Sequence, residues 1–476
     1  MSERAPIGFF DTVVDRTRAK LRDVWRDIAS STRGVLSGMP RSDLPEDDAQ
    51  RLRQQMQSCL DGAGGEVGAR ARAAELGRTY LALNRAGRER FLHVLAEEFD
   101  VDHAAVDRCC SRLAAGKIPA ERAAAEQAMR AALTPPRLRL LRQFNALPEG
   151  VKFLVDRRGE LIALAGGDMA LRGLAEDLRE LLADWFDIGF LELKQISWES
   201  PAALLEKLIA YEAVHEIQGW TDLKNRLEAD RRCFAFFHPR MPDEPLIFVK
   251  VALVKGMAGN IHALLDETAP HGDPNTADSA IFYSISNCQR GLNGISFGDF
   301  LIKRVVDALT REMPRLKVFA TLSPVPGFRA WLVTERLRPD LLLPAEAKAL
   351  SAVAGNGATE PDLAALLGRP EWPADPALSE AIREPLLRLC AQYLLLEKGR
   401  LGRAADPVAH FHLTNGARVE RLNWQGDLSE KGLQQSAGIM VNYLYQLDHI
   451  EANHEAYRGE GRVVASSAVR HLLRQR

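Results

Sequence analysis

Apolar positions recur at helical spacing through roughly the first 190 residues. In "RAAELGRTYLALNRAGRERFLHVLAEEFD", Leu76, Tyr80 and Leu83 and then Phe91, Leu92, Leu95 and Phe99 fall three or four apart. "LRGLAEDLRELLADWF" repeats the pattern with Leu171, Leu174, Leu178, Leu181 and Leu182. Strand-like alternation is nearly missing here, and no nucleophile, base and glycine loop cluster together. The spacing predicts a helical bundle used for packing or assembly.

After about residue 230 the pattern changes. "CFAFFHP" and "PLIFVKVALVK" read as strands joined through "RMPDE". "AIFYSIS" predicts another strand. It runs into "NCQRGLNGISFGDF", a loop with Gly291, Gly294 and Gly298. "FLIKRVVDALTREMP" predicts an amphipathic helix with Leu301, Val305 and Leu309 on one stripe, closed by Pro314. "KVFATLS" is the next strand, ended by "PVPGF". A helical insertion is expected at about 340–400, containing the surface connection "GRPEWPADPALSE". "VAHFHLTNGARVERLNW" predicts a hairpin, with Asn415-Gly416 as a type I′ turn. "DLSEKGLQQSAGIMVNYLYQL" predicts a helix, with Asp427 and Glu430 at capping-box spacing. The expected fold is thus α+β and multidomain. An all-helical bundle domain spans 1–190. A mixed α/β domain spans 191–476.

The 476-residue length fits two to four domains of roughly 150 residues each. A net charge of −2 gives no electrostatic case for nucleic acid as the main partner. No apolar stretch reaches the length of a bilayer span. Six cysteines without CxxC or paired metal spacing point to a reducing cytoplasm. The start "MSERAPIGFFDTVVDRTRAKLRDVWRD" has no signal-peptide core, and "HLLRQR" is not a peroxisomal tripeptide.

Three constellations can carry chemistry. "GLNGISFG" joins a strand to a helix start, where backbone N–H groups can approach a phosphate. It is neither a P-loop nor a G-x-G-x-x-G fingerprint, and Asp299 at the expected cap disfavours an anion. His410 and His412 in "HFH" share a strand face in the hairpin reading. Zinc would need a third ligand that the sequence does not supply, so no metal is expected. A single histidine working with a distant hydroxyl is the other reading, and Ser323 is the candidate partner. For Ser323 itself two roles stay open: a turn serine before Pro324, or a reacting hydroxyl held by a rigid loop. On the last predicted helix Asn442 and Tyr445 are neighbours three apart, as structural or supporting hydrogen-bonders.

Five segments, taken together, resemble the malonyl-CoA decarboxylase family: "SPAALLEKLIAYEAVHEIQGW", "AIFYSISNCQRGLNGISFGDFLIKRVV", "VFATLSPVPGFRAWL", "PVAHFHLTNGARVERLNW" and "SAGIMVNYLY". They stand in family order and cover roughly residues 199–460. The resemblance implies a helical N-terminal domain and a catalytic domain with the fold of GCN5-related N-acetyltransferases. It implies conversion of malonyl-CoA to acetyl-CoA and CO2 without biotin, metal or other cofactor. It puts the catalytic serine at Ser323 and the catalytic histidine at His412. The acyl-CoA loop falls on Asn293, Gly294, Ile295, Ser296, Phe297, Gly298 and Asp299. Where a eukaryotic relative has Glu in that loop, this chain has Ser296. The family also implies a homo-oligomer, with the tetramer as first expectation. An acetyl-CoA-dependent acyltransferase on the same fold is the alternative, although "QRGLNG" does not reproduce the R/Q-x-x-G-x-G/A loop of such enzymes.

Overall fold

The computed structural model describes residues 19–474, apart from 20, 31–39, 62–64, 117, 296–300, 336–340, 355–361 and 400–401. The chain divides into two compact units. One comprises 1–192 with 236–246 and 287–297; the other comprises 193–235, 247–286 and 298–476.

The first unit is helical, as the apolar spacing predicts. The long periodic stretch breaks into two helices, Gly65–Ala82 and Arg85–Glu97. Asn84 makes the break, because its side chain accepts the Gly87 N–H and caps the second helix. Leu76, Tyr80, Leu83, Phe91, Leu92, Leu95 and Phe99 are all buried. In the helix Met169–Trp185, capped by Asp168, all five predicted leucines are buried.

The second unit is built on an eight-stranded sheet. Its strands are β1 (Glu192–Ile196), β2 (Arg231–Phe237), β3 (Ile247–Val254), β4 (Ser279–Asn287), β5 (Val318–Thr321), β6 (Ser323–Pro324), β7 (Arg418–Asn423) and β8 (Met440–Leu444). The order is β1-β2-β3-β4-β5-β8-β6, with β7 on the other side of β8. Helix Leu301–Glu312 crosses between β4 and β5, burying Leu301, Val305 and Leu309 as predicted. The insertion is helical, with Pro344–Ala354, Leu363–Leu366 and Pro376–Leu395.

One feature of the sheet matters for chemistry. β4 and β5 pair in parallel only as far as Phe282 opposite Thr321, and Leu322 N–H then donates to Phe282 O. β5 and β6 keep one antiparallel register along β8, with Ala320 opposite Leu444 and Ser323 opposite Val441. No ladder joins β4 to β6. The sheet therefore opens beside Ser323, while β4 continues to Ser284 and Ser286 paired with β3 but no longer with β5.

Two expected elements differ. The segment carrying "HFH" is helix Pro407–Thr414, not a hairpin strand. Asp406 caps it, Pro407 occupies its first position, and Gly416 at φ +81° ends it. Asn415-Gly416 is thus a helix C-terminus, where a left-handed glycine serves as well as in a hairpin. The segment "IMVNYLY" is strand β8, not the end of a helix. The preceding helix is only Glu430–Ser436, capped by Ser429 rather than Asp427. Ala437 and Gly438, both at positive φ, reverse the chain into the strand. No helix among the described residues is long and apolar enough to cross a membrane.

Candidate active site

Ser323 and His412 meet. Ser323 Oγ lies 3.1 Å from His412 Nε2, across 89 residues of sequence. The serine hydroxyl also donates to Thr321 Oγ1 at 2.9 Å, its neighbour on the same strand face. On the other side of the imidazole, Nδ1 lies 2.8 Å from Tyr445 Oη. The Tyr443 ring stacks on the imidazole at 4.6 Å between centroids and 26° between planes. Phe282, the last β4 residue paired with β5, packs edge-on against Tyr445.

His412 is 2% exposed. Burial pushes its pKa from 6.5 down to about 3, because the cation loses its hydration. Burial also pushes the Tyr445 phenol far up, so it stays protonated. With the Ser323 hydroxyl proton given to Thr321, the ring nitrogen that faces Ser323 is the donor, and Nδ1 of the neutral imidazole accepts from the phenol. The imidazole proton then sits on Nε2 and points at Ser323 Oγ. The resting site is an ordered, uncharged chain: Tyr445 O–H to Nδ1, Nε2–H to Ser323, Ser323 O–H to Thr321.

Asn442 holds the strand end behind this chain. Fully buried, it donates to Thr321 O at 2.6 Å and to Ala258 O at 3.0 Å. Its carbonyl accepts from Arg421 Nε and Asn423 Nδ2. On a strand, Asn442 and Tyr445 are not the helical neighbours the spacing predicts. They act from separate positions, one on the backbone of Thr321 and one on His412. Asn442→Leu keeps the branched shape but strands the Thr321 and Ala258 carbonyls. It is expected to cost about 3 kcal/mol, since each unsatisfied buried group costs roughly 1–3. Urea unfolding of wild type and variant reads this, and a loss below about 1 kcal/mol would mean that Thr321 is held by other contacts.

The two histidines of "HFH" do not form a metal pair. His410 Nδ1 bonds Tyr457 Oη at 2.7 Å, whereas His412 faces Ser323. Positions two apart on a helix point to different sides. Among the described residues no three His, Cys, Asp or Glu side chains converge as a metal site.

Of the expected acyl-CoA loop, Ser296, Phe297, Gly298 and Asp299 lie outside the described residues. Asn293 and Gly294 are exposed and Ile295 is buried. The N–H groups of Asn293 and Ile295 close local turns onto Arg290 O and Leu292 O. The buried Arg158 guanidinium holds the loop entrance, donating to Gly291 O at 2.6 Å and Asn293 O at 2.8 Å. Here backbone carbonyls, not N–H groups, meet the charged partner.

Sequence reasoning did not find Thr321, the stacking of Tyr443 on His412, or a buried cluster on the end of β4 beyond β5. There Glu212 accepts from Lys250 at 2.7 Å, from Ser284 at 2.8 and 2.9 Å, and from Ser286 at 3.1 Å. Burial alone would push the Glu212 carboxyl up. The Lys250 ammonium and the Ser284 hydrogen bond outweigh it and hold the pKa at about 2. Lys250 in the otherwise apolar "PLIFVKVALVK" was the available signal, since a lysine in a central strand needs a buried anion.

Comparison with known proteins places these residues in context. A family model described as malonyl-CoA decarboxylase C-terminal domain matches residues 189–476, and one described as malonyl-CoA decarboxylase N-terminal domain matches 99–186. Mitochondrial malonyl-CoA decarboxylase of Anser anser anser is 39% identical over 425 residues, 86% of this chain and 84% of the relative. The Mus musculus enzyme is 39% identical over 82% of each chain. The crystal structure of malonyl-CoA decarboxylase from Rhodopseudomonas palustris superposes with a TM-score of 0.81 at 42% identity, covering 91% of this chain and all of that one. The structure from Agrobacterium vitis gives 0.79 at 44% identity, covering 89% and 99%.

Proposed function

The chain belongs to the malonyl-CoA decarboxylase family, and we propose that it converts malonyl-CoA to acetyl-CoA and CO2 with Ser323 and His412 as the reacting pair. The hydrogen bond between Ser323 Oγ and His412 Nε2 carries this reading.

Loss of CO2 leaves charge on C2, delocalised onto the thioester oxygen, and C2 must then gain one proton. The free site is uncharged, with His412 held neutral by burial. The malonyl carboxylate brings a negative charge beside it and favours the imidazolium. In this mechanism His412 takes a proton from water as substrate binds, and Tyr445 Oη turns from donor to acceptor of Nδ1–H. As CO2 departs, the Ser323 hydroxyl proton passes to C2 and the Nε2 proton replaces it. His412 returns to its neutral form. Serine is never acylated, in keeping with an L-S-P context rather than a G-x-S-x-G elbow.

Purified, metal-stripped protein incubated with malonyl-CoA tests the proposal. CO2 and acetyl-CoA are expected in equal amounts, with no response to chelator or avidin. Turnover only of acetyl-CoA with an amine acceptor would replace this reading by the acyltransferase.

The loop from Asn293 to Asp299 is proposed to hold the CoA moiety. Arg158→Ala releases its entrance and is expected to raise KM roughly tenfold with kcat nearly unchanged, the pattern of lost uniform binding. An unchanged KM in a folded variant would put CoA elsewhere. The helical region of 1–190 is proposed to assemble the chain into a homo-oligomer in the cytoplasm, with a tetramer expected by sedimentation equilibrium. A monomer at micromolar concentration would remove that role.

A further inference from the structure

We propose that Asp406 is a positioning residue that sets the Ser323–His412 distance by clamping the serine loop to the histidine helix. The inference rests on the reading of Ser323 and His412 as the reacting pair.

Asp406 is fully buried and uses its two oxygens for different elements. Oδ1 accepts the N–H groups of Val408 and Ala409, both at 3.0 Å, and so caps the helix that carries His412. Oδ2 accepts the Gly327 N–H at 3.1 Å, from the loop that follows Ser323 and lies 79 residues earlier in the chain. A cap needs only one oxygen, so the second contact is additional to helix formation.

The loop "PVPGF" is arranged to be held this way. Pro324 and Pro326 have no N–H. Of the three remaining N–H groups, Phe328 closes a turn onto Val325 O at 3.0 Å, and the other two go to buried side chains: Val325 to Ser436 Oγ at 2.9 Å, and Gly327 to Asp406. A Cβ on Gly327 would lie 2.1 Å from Tyr393 Oη, so glycine is what lets the loop pass against Tyr393 where its N–H meets the carboxylate. Upstream, Leu322 N–H is fixed on Phe282 O. Ser323 is therefore pinned on both sides, and its downstream anchor is the residue that begins the His412 helix. The distance between the two reacting groups passes through one carboxylate.

Three substitutions separate clamp from cap. Asp406→Ser keeps a good N-cap, but its shorter side chain cannot also reach Gly327. Asp406→Asn keeps Oδ1 for the cap and turns an amide donor toward the Gly327 N–H. Asp406→Ala loses both functions. The Ser and Asn variants are expected to lower kcat by about 10- to 100-fold, the scale of a misplacement near 1 Å, with KM nearly unchanged. Both should lose less thermal stability than Asp406→Ala, which strands the Gly327 N–H and also uncaps the helix. The ring 15N shifts of His412 in the Ser and Asn variants should move toward an imidazole that has lost its Ser323 partner. If the Ser and Asn variants do not fold, glycolic acid incorporated at position 327 removes the N–H by an amide-to-ester change and leaves Asp406 and its cap intact. That protein should show the same loss of kcat. Wild-type kcat in folded Asp406→Ser or in the ester protein would overturn the clamp, as would a kcat that merely follows melting temperature across the three variants. An active Ser323→Ala would instead overturn the reading of the reacting pair, whatever Asp406 does.

Discussion

Ser323→Ala and His412→Gln are each expected to lower kcat for malonyl-CoA by roughly 10²–10⁴, the range for a positioned proton-transfer group. Glutamine is the informative replacement at 412. The histidine is buried beneath the Tyr443 ring and bonded to Tyr445, so alanine would open a cavity and leave the phenol unpaired. Part of any loss in His412→Ala would then be unfolding. Ser323→Ala removes one hydroxyl from a site that keeps its backbone contacts, and its thermal stability should change little. The double variant should be about as slow as the slower single one, because the hydroxyl and the imidazole pass one proton between them and are not additive. A well-folded, fully active Ser323→Ala would return this serine to the role of a turn residue before Pro324. kcat and thermal unfolding measured on the same preparations decide between these outcomes.

The placement of Ser323 was legible in the chain because a β-rich run stops there against two prolines and a glycine. Its meeting with His412 was not. It depends on β8 lying between β5–β6 and β7, and no local pattern specifies that order. Two local signals were ambiguous in a specific way. "VAHFHL" alternates like a strand, but its flanks decide for a helix: Asp406 and Pro407 are an N-cap and a first-turn residue, and Gly416 is a left-handed stop. Conversely, "IMVNYLY" follows a capped helix start, and only the Ala437-Gly438 reversal separates the two elements. The helical leucines and the strands of the sheet were readable because burial on one face sets a period. Asp406 and Glu212 were not, because each gains its partners from elements far away in sequence. A lone carboxylate in a sequence looks the same whether it faces water or joins two elements of a site.

The buried neutral His412 should make the free protein acid-labile in a defined window. Its pKa is about 3 when folded, against an ordinary 6.5 when unfolded, and burial is the cause. Between these values the unfolded chain holds a proton that the folded site refuses, so unfolding is favoured as pH falls. The loss is about 1.4 kcal/mol per pH unit below 6.5, and it stops near pH 3. Above pH 6.5 the group contributes no slope. His215, also pushed down by burial to about 4, acts in the same sense and is present in both proteins to be compared. Glu212 lies outside the relevant window, since its pKa of about 2 keeps it ionised. His412→Gln is expected to be less stable than wild type at pH 7, because glutamine replaces the stacked and hydrogen-bonded ring imperfectly. That gap should narrow by about 2 kcal/mol between pH 7 and pH 5, over the 1.5 units in which wild type pays the histidine's protonation and the variant does not. A non-reactive malonyl-CoA analogue that keeps the carboxylate should remove the effect. Its charge beside the imidazole lets His412 hold the proton in the folded state, and binding at pH 7 should take up a fraction of a proton, readable by calorimetry in buffers of different ionisation enthalpy. A stability gap that does not change with pH would show that burial does not hold His412 neutral, and binding that takes up no proton would remove His412 as the carrier of the proton to C2.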